Sequence, residues 1–527
     1  MVRKMVNVSN SFYKDYEELL IKNDKLSEEN RSLKYNEFLF KSQIKTLENK
    51  KQKYQEEILD QKILLQEKEY EIARLRALLN MDGTNHGIPT SQTPIHKKKV
   101  IPNTREKSDK TKGGQLGHKK HKLEKFKKEE LTENIEHSMY KCPCCSSAAI
   151  LETGEVKEKD ELDYKIVVVK RRHIFKEYKC EECGKLFHQE IPNNLKEDNQ
   201  YGPQVQALEL ALMNQANVTI NKAQKITYGM TNGEIDLSEG YIAKLQKRAA
   251  QNLKEFMEEI KLEVINQPLI YWDDTVIMID KTRSCLRFYG TDKLAMYVAH
   301  YKKDKNGLDE DGILKALPKE TVVVHDHNKV NYNIDYTFAN AECNRHLIAD
   351  LKKVIDNLNH TWAKKLIELL TKMNKKRNRL IDKGSDSFSQ EELNKFENKF
   401  EKIMIEANKE NIDEKEKYYV DTESTLILRI LDYKNEYLLW VYDFDVPFTN
   451  NLSERALRGA KSKQKASGQF WNIESASYYA TIRTYIETCN RNGVNVYNAL
   501  LKLCFGKPYT LKEILNNHNK QKEITQQ

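Results

Sequence analysis

Between Tyr16 and Leu79, apolar side chains return every seven residues: Leu19, Leu26, Leu33, Phe40, Leu47 and Tyr54. After a four-residue shift, Ile58, Leu65, Ile72 and Leu79 resume the period. No Gly or Pro interrupts the segment. A seven-residue repeat keeps one apolar seam on one side of an α-helix, so the pattern predicts a coiled coil with a stutter at the shift. Asn23 and Asn30 fall at the other seam position, where a buried Asn favours dimers and fixes register. The competing reading is a long solvated helix packed on its own protein.

The periodicity ends at Asn80. To about Lys128 the chain is rich in turn formers and Lys and poor in apolar residues, so it cannot bury enough surface to fold by itself. It predicts a flexible arm whose cations, Lys119 and Lys120 among them, neutralise phosphates. Gly113, Gly114 and Gly117 neither follow a strand nor match a phosphate-loop spacing, which excludes a nucleotide site there. Further on, YKIVVVKRRHIFKEYKC reads as β-strands.

Residues from about 201 to 260 read as helices, with an apolar stripe in YGPQVQALELALMNQ and Ser238 as the N-cap of a later one. Lys244, Lys247 and Arg248 on that later helix suit a helix-turn-helix; a plain helical bundle is the alternative. From Gln267 the pattern turns to strands. Leu269 to Ile279 is the first, SCLRFYG and KLAMYVAHY follow, and a short helix near Gly307 to Leu317 leads to a fourth strand, ETVVVHD. A helix spans about Ala339 to Leu358. Three strands, a helix, a strand and a helix is the order of an α/β core with a ribonuclease H-like (retroviral integrase-like) fold. A charged, weakly apolar helical insertion follows, and NIESASYYATIRTYIETCNRNGVNVYNALLKL reads as helices packing on the sheet.

The expected organisation is therefore multidomain. It runs from a coiled-coil helix (1–80) and a basic arm (81–130) to a zinc-binding module (131–198) and a helical DNA-binding module (199–264). The first part of the core (265–358), a helical insertion (359–435), the second part of the core (436–510) and a tail (511–527) complete it. A chain of 527 residues is long enough for several cores. Its 88 Lys and Arg against 79 Asp and Glu leave a net charge of +9, which suits a polyanionic partner. No apolar run approaches the roughly 20 residues that span a bilayer, and the start lacks a signal-peptide core. These features predict a cytoplasmic, nucleoid-associated protein without a membrane partner.

Nine cysteines in so long a chain do not suggest a disulfide framework. Cys142 with Cys145, and Cys180 with Cys183, form two C-x-x-C knuckles whose spacing suits one tetrahedral, structural Zn²⁺ in a zinc-ribbon-like module. Cys144 competes with Cys145 as ligand. Two acids stand out in the core: Asp273 in the middle of an apolar strand and Asp326 at the end of another. Unpaired carboxylates there cost several kcal/mol unless a cation compensates. Carboxylates on adjacent strands suit hard divalent ions, Mg²⁺ or Mn²⁺. A third acid completes a site for two ions roughly 3.5–4 Å apart.

Glu454 is the candidate third acid, at the head of a plausible helix with Arg455, Arg458, Lys461, Lys463 and Lys465. Arg458, Lys461 and Lys465 recur on its side, placed to grip DNA phosphates. The plainer alternative is an ion pair of Glu454 with Arg458, worth about 0.3–0.5 kcal/mol. Cys343 and His346 form a C-x-x-H pair, read either as polar support beside the metals or as a packed helix face. His325 and His327 read as structural.

The motifs GGQLGHKKHKL, the paired knuckles, YWDDTV, HDHNKVNYN, CNRHL and VPFTNNLSERALRGAKSKQKASGQF occur in this order over nearly the whole chain. In them the protein resembles transposases of the insertion-sequence-sixty-six family, the TnpC-type DDE transposases. The resemblance implies a catalytic triad of Asp273, Asp326 and Glu454, with Asp274 still open as an alternative to Asp273. At the second acid the family often has Asp-Gly-Tyr, whereas this chain has Asp326-His327-Asn328. The resemblance also implies metal-dependent phosphodiester hydrolysis and strand transfer on element terminal inverted repeats and target DNA. A homodimer or higher oligomer would hold two ends together. A non-catalytic, zinc-containing DNA-binding regulator is the alternative from another class, and an RNA-directed nuclease a third.

Overall fold

The computed structural model describes residues 10–80, 123–192, 195, 197–413 and 419–517. Lys119, Lys120, the GGQLGH motif and most of the expected basic arm lie outside the described residues. The chain divides into two units: one takes in the long N-terminal helix with residues 352–363 and 406–426, and the other takes in the remaining described segments.

In the first unit, α1 (Asn10–Asn80) is one uninterrupted helix, about 105 Å long at 1.5 Å per residue. Absence of Gly and Pro lets it propagate, and every seam residue from Leu19 to Leu79 is exposed in the single chain. Elsewhere in this unit the buried Glu423 accepts hydrogen bonds from His360 Nδ1 and Trp362 Nε1, each at 2.7 Å, and from Asn411 Nδ2 at 2.8 Å. A carboxylate so deeply placed is tolerable only with such donors.

The second unit begins with a small hairpin, β1 (Glu177–Lys179) and β2 (Leu186–His188). The strands expected over YKIVVVKRRHI do not form: residues 164–176 lie in no regular element, and Ile166, Val167, Val169 and Ile174 are exposed. β-branched residues adopt a strand only where a neighbour supplies hydrogen bonds and burial, and among the described residues none does so here.

Helices α2 (Pro203–Leu210), α3 (Ile220–Met230), α4 (Glu239–Gln251) and α5 (Lys254–Ile265) follow. Ser238 does cap α4, its hydroxyl accepting from Tyr241 N at 3.1 Å. A π-helical turn (Ala211–Gln215) extends α2. These helices share one apolar core with the sheet and the C-terminal helices: Leu210, Leu245, Phe256 and Ile260 pack with Ile270, Trp272, Tyr485 and Leu500.

The sheet holds five strands: β3 (Leu269–Ile279), β4 (Thr282–Gly290), β5 (Ala295–His300), β6 (Val322–His325) and β7 (Ala339–Glu342). They lie in the order β5-β4-β3-β6-β7, antiparallel from β5 to β3 and parallel from β3 to β7. The first strand has the predicted bounds. The helix expected from Ala339 does not start there, because Ala339 to Glu342 pair with Val322 to His325 as β7. ANAE has little strand propensity of its own, so the sheet edge decides its conformation. The helix begins at Asn344 (α7, Asn344–Leu358).

Between α7 and the Glu454 motif lie α8 (Thr361–Ile381), α9 (Gln390–Asp413), α10 (Val420–Asp432) and α11 (Lys434–Tyr442). Buried Arg377 of α8 donates to the carbonyls of Phe444 and Val446, fixing the loop that enters α12 (Asn451–Ser467). The chain closes with α13 (Ile473–Arg491) and α14 (Val496–Cys504). Residues alternate across β3: Ile277 and Ile279 point to the face covered by Ala456, Leu457 and Ala460 of α12 and Tyr479 of α13. Ile270 and Trp272 point to the other. Among the described residues no helix is long and apolar enough to cross a membrane.

Candidate active site

Strand register brings the two aspartates together. Tyr271 pairs with Val324 across the parallel β3–β6 ladder, so two residues further on Asp273 and Asp326 stand at the same level. The next ladder continues in step, with Cys343 N donating to His325 O at 2.9 Å. One helical turn later, at the head of α7, His346 Nδ1 lies 3.0 Å from Asp326 Oδ1. Ligating atoms of Asp326, Cys343 and His346 all fall within 4.8 Å of one another, the one such cluster of His, Cys, Asp or Glu among the described residues.

The electrostatics follow from this crowding. Burial raises the Asp273 carboxyl from 3.8 to about 8, and the nearby Asp326 charge adds to the rise. Burial works against a charged His346, but Asp326 and then Cys343 outweigh it and raise the ring to about 11. Asp274 occupies the opposite face of β3 and pairs with Lys303 Nζ at 2.6 Å; its backbone N–H donates to Asp273 Oδ1 at 2.7 Å. A cavity of about 260 Å³ opens here, lined by Asp273, Asp274, Lys303, Asp326, His327 and Asn328 among others.

Helix α12 is anchored to the same place. Asn450, the residue before it, donates from Nδ2 to Trp272 O at 3.0 Å and from its backbone N–H to Cys343 Sγ at 3.2 Å. The Asn450 side chain, at the N-cap position of α12, makes no cap hydrogen bond and serves instead as this bolt. Glu454 lies one turn on, and α12 packs on the β3 face that carries Asp273. Glu454 Oε1 is buried and has no hydrogen-bond partner among the described residues. A buried carboxylate oxygen left in that state suits a divalent cation.

The other expected residues divide. Arg455, Arg458, Lys461 and Lys465 are exposed along α12. Lys463 is not on that surface: it is 7% exposed, and its Nζ donates to Val218 O at 2.7 Å and Met213 O at 3.3 Å. The reason is the π-helical turn, which leaves end carbonyls needing donors. Lys463 serves Met213 O of that turn and Val218 O of the loop after it, and Arg483 serves Asn214 O at 2.7 Å. Lys247 is exposed, whereas Arg248 folds over the Tyr241 ring at 5.6 Å.

The two cysteine knuckles have one geometry. Cys142 N donates to Ser147 O and Ser146 N to Cys142 O; Cys180 N donates to Lys185 O and Gly184 N to Cys180 O. Ser146 and Gly184 both take positive φ, 58° and 71°. In each, backbone N–H groups aimed at the first thiol, above all that of Cys145 or Cys183, lower its pKa. Cys144, between Cys142 and Cys145, is exposed, as Cys145 is. The four thiols do not gather into one cluster among the described residues.

Sequence reasoning missed the Asn450 bolt, the Lys303–Asp274 pair and the support behind the site. There buried Glu342 accepts from Tyr332 Oη at 2.6 Å and pairs with His327 Nδ1 at 2.8 Å. His325 Nε2 meets Asn340 Oδ1 at 2.8 Å, so both histidines beside Asp326 are held by side chains of β7. Signals for these contacts were weak, since each joins segments with no periodicity in common.

No curated protein is matched by the chain. The pattern of the family described as "Transposase IS66 family", a DDE transposase grouping, matches residues 199–478. That span exceeds half of the 527 residues and contains β3 to β7, α12 and the residues Asp273, Asp326 and Glu454, and so the chain belongs to the IS66 family of transposases.

Proposed function

We propose that this protein cuts and joins DNA at a site formed by Asp273, Asp326 and Glu454. The observation that carries the reading is the level placement of Asp273 and Asp326 on neighbouring parallel strands, with α12 bolted beside them through Asn450. The strand order, antiparallel on one side of β3 and parallel on the other, supports a ribonuclease H-like core. A regulator without catalysis leaves these repelling carboxylates without a purpose.

The three carboxylates would hold Mg²⁺ or Mn²⁺. Such ions, when bound, stabilise negative charge at a phosphodiester and activate an attacking hydroxyl or water. The chain's own residues do the positioning. His346 and Cys343 orient Asp326, and the Asp274–Lys303 pair sets the rim of the cavity. Arg458, Lys461 and Lys465 lie on the Glu454 side of α12 and hold backbone phosphates. The exposed α1 seam serves self-association, as a coiled coil, so that two element ends are held together. Cys142, Cys145, Cys180 and Cys183 would hold one Zn²⁺, which would tie the two knuckles into a structural module. With the helices of 199–264 and the basic arm, that module recognises the terminal repeats.

The test is a nicking and strand-transfer assay on DNA carrying the element's ends, with Mg²⁺ or Mn²⁺. Asp273→Asn, Asp326→Asn and Glu454→Gln each abolish cleavage while end binding persists. A wild-type protein that binds the ends but never nicks them returns the regulator; full activity in one variant removes that residue from the site.

A further inference from the structure

All four tryptophans lie among the described residues. Trp272, Trp362 and Trp440 are buried, whereas Trp471 is 83% exposed. Its backbone is held on both sides. Phe470 N donates to Met278 O at 2.9 Å, Asp280 N donates to Phe470 O at 3.0 Å, and the Phe470 ring packs on Tyr479. On the other side, Asn472 caps α13 by accepting from Ser475 N at 2.9 Å. A large indole is thus presented to solvent from a fixed loop, which keeps the ordering cost of binding low.

Its place in the fold gives the indole a use. Helix α12 runs along β3, from the Asn450 bolt at Trp272 to the bridge between Phe470 and Ile279. Ile279 is six residues from Asp273, about 20 Å at the rise of a strand. Exposed Arg458, Lys461 and Lys465 mark the route. A cationic rail therefore leads from the acids to the indole over the length of about six base steps.

We infer that Trp471 stacks on an unpaired DNA base at the far end of this rail. The inference rests on the proposed role of α12 in holding DNA. Base faces in continuous duplex are covered by their neighbours, so a flat aromatic surface gains most where a base is unpaired, and such stacking tolerates any sequence. The phosphate contacts supply general affinity; Trp471 adds a preference for opened DNA.

The experiment uses the full chain, a duplex oligonucleotide, and the same duplex with an unpaired arm. Iodide-quenchable emission reports on Trp471, the other indoles being buried. Forked DNA is expected to shield that emission from iodide, and plain duplex is not. Trp471→Ala weakens fork binding about tenfold, with duplex binding changed less than twofold, and Trp471→Phe restores most of the loss. Persistent iodide quenching with fork bound, unchanged fork affinity in Trp471→Ala, or equal losses on fork and duplex each overturn the inference. If wild type binds and nicks while any of these holds, only the role of Trp471 falls; if wild type binds neither DNA, the proposed function falls with it.

Discussion

Lys463 gives the sharpest test of how α12 divides its cations. Burial lowers its pKa from 10.5 to about 8. At about 1.4 kcal/mol per tenfold change in proton affinity, keeping the ammonium charged costs about 3 kcal/mol at neutral pH. Its donation to the Met213 and Val218 carbonyls offsets that cost, and a neutral amine makes the same donations without it. Since the folded pKa lies below the unfolded one, the unfolded chain binds the extra proton between about pH 8 and 10.5. Wild-type stability therefore rises with pH across that window. Lys463→Met has no such rise and leaves two buried carbonyls without this donor, at about 1–3 kcal/mol each.

The stability gap between wild type and Lys463→Met should accordingly widen by about 2–3 kcal/mol between pH 7 and pH 10, measured by urea denaturation at each pH. On duplex DNA the salt dependence of Lys463→Met should match wild type, because a buried amine releases no counterion. Lys461→Ala should be shallower by about one unit of slope. A gap that stays constant or narrows, or a slope that falls by about one in Lys463→Met, refutes the assignment of Lys463 as a strut between α12 and the π-helical turn.

Gly459→Ala would place a Cβ 2.8 Å from Arg483 Nη2, forcing the guanidinium off Asn214 O and Glu487; a loss of about 1–3 kcal/mol is expected in thermal or urea denaturation. His346→Gln removes the ring beside Asp326 and should weaken Mn²⁺ affinity about 10–100-fold by titration, leaving DNA affinity unchanged. Cys180→Ser should lower bound zinc from one per chain to well below one by elemental analysis, because a knuckle left with one thiolate cannot complete the tetrahedron.

Much of the fold was legible because burial on both faces writes a long apolar run. β3 kept its predicted bounds for that reason, whereas α1, whose seam is exposed, owes its continuity to the absence of Gly and Pro. Pairing partners are not written locally. YKIVVVKRRHI carries strong strand propensity and forms no strand, whereas ANAE carries little and forms β7, because only the second meets an open sheet edge. Lys463 was legible in principle. Ser453, Ala456, Ala460 and Lys463 recur at helical spacing and are all buried. Grouping Lys463 with the other cations, although only Arg458, Lys461 and Lys465 keep the helical phase of Glu454, hid that it belongs with the alanines.

The choice between Asp273 and Asp274 shows what the missing information was. Alternation along β3 separates the two residues but does not say which face the chemistry uses. The proposed assignment to Asp273 rests on two pairings distant in sequence: Tyr271 with Val324, which levels Asp273 with Asp326, and α12 against Ile277 and Ile279, on the face that carries Asp273. Asp274, on the reverse face, meets Lys303. Asp274 has a lysine partner, whereas Asp273 is driven up to about 8 by burial first and by a neighbouring second carboxylate next. A carboxyl whose charged form is so disfavoured gains most from a cation, so the contrast with its neighbour is itself an argument for Asp273 in the proposed site.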